Sequence, residues 1–161
     1  MEDILRSLGY LCLGSRLKRL GEQFQADTQR VLDGLDVRIQ SSQYPLLAAL
    51  DRLGPLPVGE LAQSLGVAQP GVTRSVSLLA ELGLVEVSPS DDDQRRRIVS
   101  LTRSGRRLVE AARRDVWPRV ESAVAELCGD LSGPLLTQLA AIEDRLAETP
   151  LDRRARKAAA P

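Results

Sequence analysis

At 161 residues, with 43% hydrophobic but only 2% aromatic side chains, the chain has the length of one domain and an aliphatic core. That composition favours helices packed through leucine stripes over an aromatic-rich β-sandwich. It has no histidine, no asparagine and two cysteines, Cys12 and Cys128, which removes Ser-His-Asp and Cys-His catalysis and imidazole-ligated zinc; no enzyme, no metal and no cofactor are expected. Lys and Arg (22) balance Asp and Glu (22), yet residues 94–114 hold eight arginines against one acid and residues 115–150 hold two against seven. This separation of sign is the footprint of a charged binding surface that the zero total conceals.

In chain order, Leu13, Leu17, Leu20, Phe24, Val31 and Leu35 recur at three- and four-residue steps, with Ile4, Leu8 and Leu11 as an earlier row. They predict one long helix from Asp3 to about Gly34, softened at Gly21. DVRIQSS then reads as a connector, with Ser41 or Ser42 capping the helix QYPLLAALDRL, which GPLP stops. VGELAQSL is a short amphipathic helix closed by a left-handed Gly66. QPGVTRSVSLLAELG is a second helix, with Val72, Val76 and Leu79 inward and Gly83 at its end. LVEVSP and RIVSLT are strands of a hairpin. From Arg103 a helix runs towards Leu127, bent at Pro118, and SGPLLTQLAAIEDRLAE is a last helix capped by Ser132. No apolar run reaches the roughly 18 residues of a membrane span, and MEDILRSLGY is too acidic for a signal peptide. A cytoplasmic chain with no membrane partner is expected.

Helix, short glycine turn, helix and hairpin together make a winged helix-turn-helix, so the predicted fold is mainly α with a small β wing. The second helix of such a pair enters a major groove and the hairpin reaches the neighbouring minor groove. The exposed face of that helix carries Gln69, Pro70, Thr73, Arg74 and Ser77. Gln69 and Arg74 suit paired hydrogen bonds to adenine and guanine edges; Thr73 and Ser77 suit phosphate or the thymine methyl. At the hairpin tip, Arg95, Arg96 and Arg97 match the negative potential of a narrow minor groove, with Asp93 holding Arg95 in place. Double-stranded DNA is the expected partner. A different class of answer is a helical scaffold whose arginines dock acidic protein surfaces.

From about Asp36 to Leu108 the chain resembles the MarR family of bacterial winged-helix regulators. The resemblance lies in SSQYPLLAAL and in VGELAQSLGVAQPGVTRSVSLLAELGLVEVSPSDDDQRRRIVSLTRSGRRL, including Asp93-Gln94-Arg95, Val99-Ser100-Leu101-Thr102 and Gly105 at the family's spacing. The basic tail at 149–161, outside the resemblance, has no periodicity and is expected to be disordered; the resemblance implies one unit over residues 1–148, with a DNA-binding lobe at 42–102 and dimerisation helices at 3–35 and 103–148. It further implies a homodimer, expected to be a repressor, on a pseudo-palindromic operator. A small aromatic or phenolic effector would bind between dimer helices and lobe, with Tyr44 and Trp117 as candidate walls. A thiol-sensing relative would instead use Cys12 and Cys128. The chain departs from the family at two places: Ala68 stands where Ser or Thr opens the recognition helix, and Ser77-Leu78 where Asp-Arg is common.

Overall fold

The computed structural model describes residues 2–32, 39–89, 97–129 and 131–149. The chain divides into two compact units, Met1–Val120 and Glu121–Pro161. Asp93, Arg95 and Arg96, and the tail beyond Thr149, lie outside the described residues.

The first unit opens with a short helix α1 (Ile4–Ser7), a 3-10 turn (Gly9–Cys12) and the long helix α2 (Leu13–Leu32). The expected single helix is thus interrupted, but at Gly9 and not at Gly21. Gly9 takes φ +56°, a left-handed value that ends helical propagation, whereas Gly21 lies inside an unbroken α2. Asp3 caps α1 by accepting from the Arg6 amide at 3.3 Å and takes a two-pronged contact from Arg19 of α2 at 3.1 and 2.9 Å. That guanidinium holds the Asp3 carboxyl below the usual carboxylate range.

Helix α3 (Tyr44–Leu53) is entered through a 3-10 turn, Ser41–Gln43. Neither serine caps it. No side chain does; a capping box of Gln40 and Gln43 closes the 3-10 turn before it, with the Gln40 amide donating to Gln43 Oε1 at 3.0 Å, while Ser41 Oγ donates to the Gln25 carbonyl of α2. After α3 the sequence GPLP is more than a stop: Leu56–Pro57 forms a two-residue strand β1. The sheet runs β1-β3-β2, all antiparallel, with β2 (Val85–Pro89) and β3 (Arg97–Leu101) forming the expected hairpin. Pro57 is tolerated because β1 is an edge strand.

Helices α4 (Val58–Leu65) and α5 (Gln69–Glu81) lie where the periodicity put them, and Gly66 closes α4 in the left-handed region, φ +64°. Leu47 of α3, Leu61 of α4, Leu79 of α5, Val99 of β3 and Val109 of α6 (Arg103–Asp115) are all fully buried. This one aliphatic core fixes the angle between α4 and α5.

Thr102 locks the sheet to α6. Its hydroxyl accepts from the Gly105 amide at 3.1 Å and donates to the Gly83 carbonyl at 2.7 Å, so one side chain caps α6 and anchors the end of α5. A Cβ on Gly105 would stand 2.0 Å from the Leu84 carbonyl oxygen, and a backbone atom cannot yield as a side chain does. Gly105→Ala is expected to destabilise the chain by about 3 kcal/mol, read as a lower urea midpoint with unchanged slope.

The predicted helix from Arg103 is two helices. It breaks at Val116, before α7 (Trp117–Cys128), because Pro118 has no amide hydrogen and its ring clashes with the carbonyl four residues back, that of Arg114. In the second unit, α8 (Leu135–Glu148) starts after Pro134 with no side-chain cap, so Ser132 does not serve. Leu135 and Leu139 are half-buried while Ile142 and Leu146 are exposed.

Candidate nucleic-acid interface

Helix α5 turns Val72, Val76 and Leu79 into the core. Gln69, Pro70, Thr73, Arg74 and Ser77 lie on the opposite side, all five exposed. Ala68 supplies no side-chain cap, as its identity implied. Thr73 Oγ1 donates to the Gln69 carbonyl at 3.0 Å and Ser77 Oγ to the Thr73 carbonyl at 3.1 Å. Both hydroxyl hydrogens are therefore spent on the helix, leaving oxygen lone pairs and the Thr73 methyl for a partner. Donation to phosphate requires the hydroxyl to swing away from the backbone. The Gln69 and Arg74 side chains make no hydrogen bond or ion pair among the described residues.

The hairpin approaches the same place. Arg97, the first residue of β3, pairs with Pro89 at the outer end of the described ladder and is exposed. It lines an open groove of about 490 Å³ together with Pro57, Val58, Gly59, Glu60 and Gln63 on one side and Gln69 and Thr73 of α5 on the other. The structure thus brings Gln69, Thr73 and Arg97 to one surface. Glu60 and Gln63 were missed by sequence reasoning. The available signal was the polar face of VGELAQSL, from which only the apolar face was used. Helix α4 also begins at Pro57 without a side-chain cap, leaving first-turn amides of the kind that favour an anion.

The other candidates lie elsewhere. Tyr44 is buried, its hydroxyl has no hydrogen-bond partner among the described residues, and burial pushes that hydroxyl's pKa up. Trp117 packs against the core beneath the Arg113 guanidinium, 5.8 Å from the ring centre; Arg113 also pairs with Asp51 of α3. Neither aromatic lines the groove at α5. Cys12 and Cys128 are free, half-buried thiols, one in each unit. Among the described residues no group of acidic, cysteine or histidine side chains could hold a metal ion, and no helix is long and apolar enough to cross a membrane.

A sequence profile of the MarR family matches residues 34–96. The chain is 32% identical over 112 residues to the HTH-type transcriptional regulator FarR of Neisseria gonorrhoeae, covering 67% of this chain and 76% of that one. The chain belongs to the MarR family. Its match to other curated relatives, at 38% identity over 76 residues, spans about half of their length, 53%. Among solved structures, a mutant MarR of E. coli complexed with operator DNA superposes with a TM-score of 0.70 at 22% identity, covering 90% of this chain and 99% of that one. BpsR of Bordetella bronchiseptica, whose DNA binding is regulated by 6-hydroxynicotinic acid, gives 0.67 at 23% identity, covering 85% and 94%. At these identities the likeness is one of fold: the MarR winged helix, with α4 and α5 as the helix pair and β2–β3 as the wing.

Proposed function

We propose that this MarR-family chain is a cytoplasmic transcriptional repressor that binds a pseudo-palindromic duplex operator as a homodimer and is released by a small aromatic or phenolic effector. The observation that carries the reading is the shared groove. Gln69 and Thr73 of α5 and Arg97 of the wing face one surface, with Arg74 unpaired beside them. Arg74 and Gln69 would read bases in the major groove; Arg95, Arg96 and Arg97 would enter the adjacent minor groove, with Asp93 orienting Arg95.

Dimerisation is supported by apolar exposure. Ile4, Leu8, Tyr10, Leu11, Leu17, Leu20 and Phe24 all reach solvent from the first 32 residues, as do Leu127, Leu131, Leu136, Ile142 and Leu146 in the second unit. So many exposed apolar side chains signal a partner surface, and a second copy fits a family whose DNA sites are two-fold. For the effector, the Tyr44 hydroxyl is a buried donor lacking an acceptor, and BpsR sets a precedent in a hydroxylated aromatic acid. An effector that binds better to a dimer with mis-spaced recognition helices weakens DNA binding by that difference in affinity.

Selection of bound fragments from random duplex DNA tests this reading. Enrichment of inverted repeats with half-site centres about 10 base pairs apart is expected. Enrichment of unpaired motifs overturns the dimer, and no enrichment at low salt favours a protein-docking scaffold.

A further inference from the structure

Helix α2 is two things along its length. Its last residue, Leu32, is buried in the lobe's core, whereas Leu17, Leu20 and Phe24 face solvent. Between these regions sits a half-buried glutamine, Gln29, that touches the lobe's entry through both ends of its amide. Gln29 Oε1 accepts from the Ser41 amide at 2.7 Å, and its Nε2 donates to the Ile39 carbonyl at 3.5 Å. One turn earlier, the Gln25 carbonyl accepts from Ser41 Oγ at 2.8 Å. Three hydrogen bonds thus tie α2 to residues 39–41, directly before the 3-10 turn and α3. Apolar contacts alone tolerate sliding and tilt, whereas a bidentate amide fixes direction.

Helix α3 is seated in the lobe independently. Leu46, Leu47 and Leu50 are buried, and Asp51 pairs with Arg113 of α6. The clamp at Gln29 therefore sets the angle at which the apolar part of α2 leaves a rigid lobe. A 20-residue helix is a lever of about 30 Å, so a tilt of about 5° at the clamp moves its far end by about 2.6 Å. In a two-fold dimer that displacement appears twice, as a change in the separation of the two recognition helices.

We propose that Gln29 is a positioning residue which, through its amide contacts to Ser41 and Ile39, sets the half-site spacing that the dimer accepts. This rests on the dimeric reading of the previous section. Gln29 touches no DNA, and its loss leaves each recognition helix intact.

The test uses full-length protein and the best duplex selected from a random pool, remade with its half-sites one base pair closer and one further apart. The wild-type chain is expected to prefer the selected spacing at least tenfold. Gln29→Met keeps the length and packing of the side chain and removes both amide contacts. It is expected to flatten that preference to threefold or less, while remaining dimeric in sedimentation and binding an isolated half-site as wild type does. A purely structural role would lower affinity for all three duplexes together. Retention of the wild-type preference by Gln29→Met would overturn the proposal alone; absence of a preference in the wild type would overturn the dimeric reading and the proposal with it. Should Gln29→Met fail to fold, Gln29→Glu, which keeps the acceptor for the Ser41 amide and loses the donor to the Ile39 carbonyl, is expected to narrow the preference too. An unchanged preference there would count against the clamp.

Discussion

Leu20→Glu combined with Phe24→Glu is expected to yield a folded monomer that binds a palindromic duplex at least a hundredfold more weakly. Leu20 and Phe24 are 43% and 38% exposed, so the lobe's core does not depend on them. They lie one turn apart on α2 with Leu17, at 40%, which forms a stripe of the width that helix pairs bury. Burying each such side chain contributes about 1.5–3 kcal/mol, and two-fold symmetry uses each twice. Glutamates there would have to be desolvated beside their symmetry mates, which reverses the sign of the contribution. Loss of the dimer then removes the effective-concentration gain of holding two half-sites at once, commonly about 10² to 10⁴. Sedimentation velocity and circular dichroism check the result. A stable dimer in the double variant would move the interface away from α2.

The second large effect is expected at Arg74. It is exposed, without a partner among the described residues, and on the same face of α5 as Gln69 and Ser77. Arg74→Ala should therefore leave stability unchanged. A paired contact to guanine discriminates by about 1–3 kcal/mol, and a homodimer loses it in both half-sites. The expected cost is about 2–6 kcal/mol, an affinity loss between roughly thirtyfold and twenty-thousandfold at the preferred operator. Measured against operators carrying each base in turn, discrimination should vanish at one symmetric pair of positions and persist at the others. A uniform loss across all sequences would instead assign Arg74 to phosphate.

The parts of the fold that sequence reasoning reached are those whose cause is local. VGELAQSL and the helix from Gln69 declare themselves by apolar spacing and by Gly66 between them; the strands around Val85 and Val99 alternate or run apolar beside turn residues. What escaped it depends on distant partners. Leu56–Pro57 is a strand only because β3 offers it an edge, and two residues carry no period. No side chain caps α3: Ser41 is drawn off to Gln25 of α2 and the capping box of Gln40 and Gln43 closes the 3-10 turn before the helix, a choice made by tertiary contact. The break at Gly9 was misplaced because both Gly9 and Gly21 interrupt the pattern, and only the Asp3–Arg19 contact, which folds α1 back on α2, distinguishes them. The candidate site divides the same way. The outward face of α5 follows from a helical wheel. The groove joining it to Arg97 through Glu60 and Gln63 is assembled from four separate elements, and no stretch of sequence contains it.

The central claim is that α5 and the wing grip adjacent grooves of one duplex. Footprinting a selected operator tests it directly, reading guanine N7 protection for the major groove and hydroxyl-radical protection for the minor groove. Wild-type protein is expected to protect a major-groove patch and the neighbouring minor groove in each half-site. Arg95→Ala is expected to bind at least tenfold more weakly and to lose the minor-groove protection alone, while the tail substitution Arg154→Ala changes neither. Protection of a single groove, or an Arg95→Ala footprint identical to that of wild type, would contradict the account.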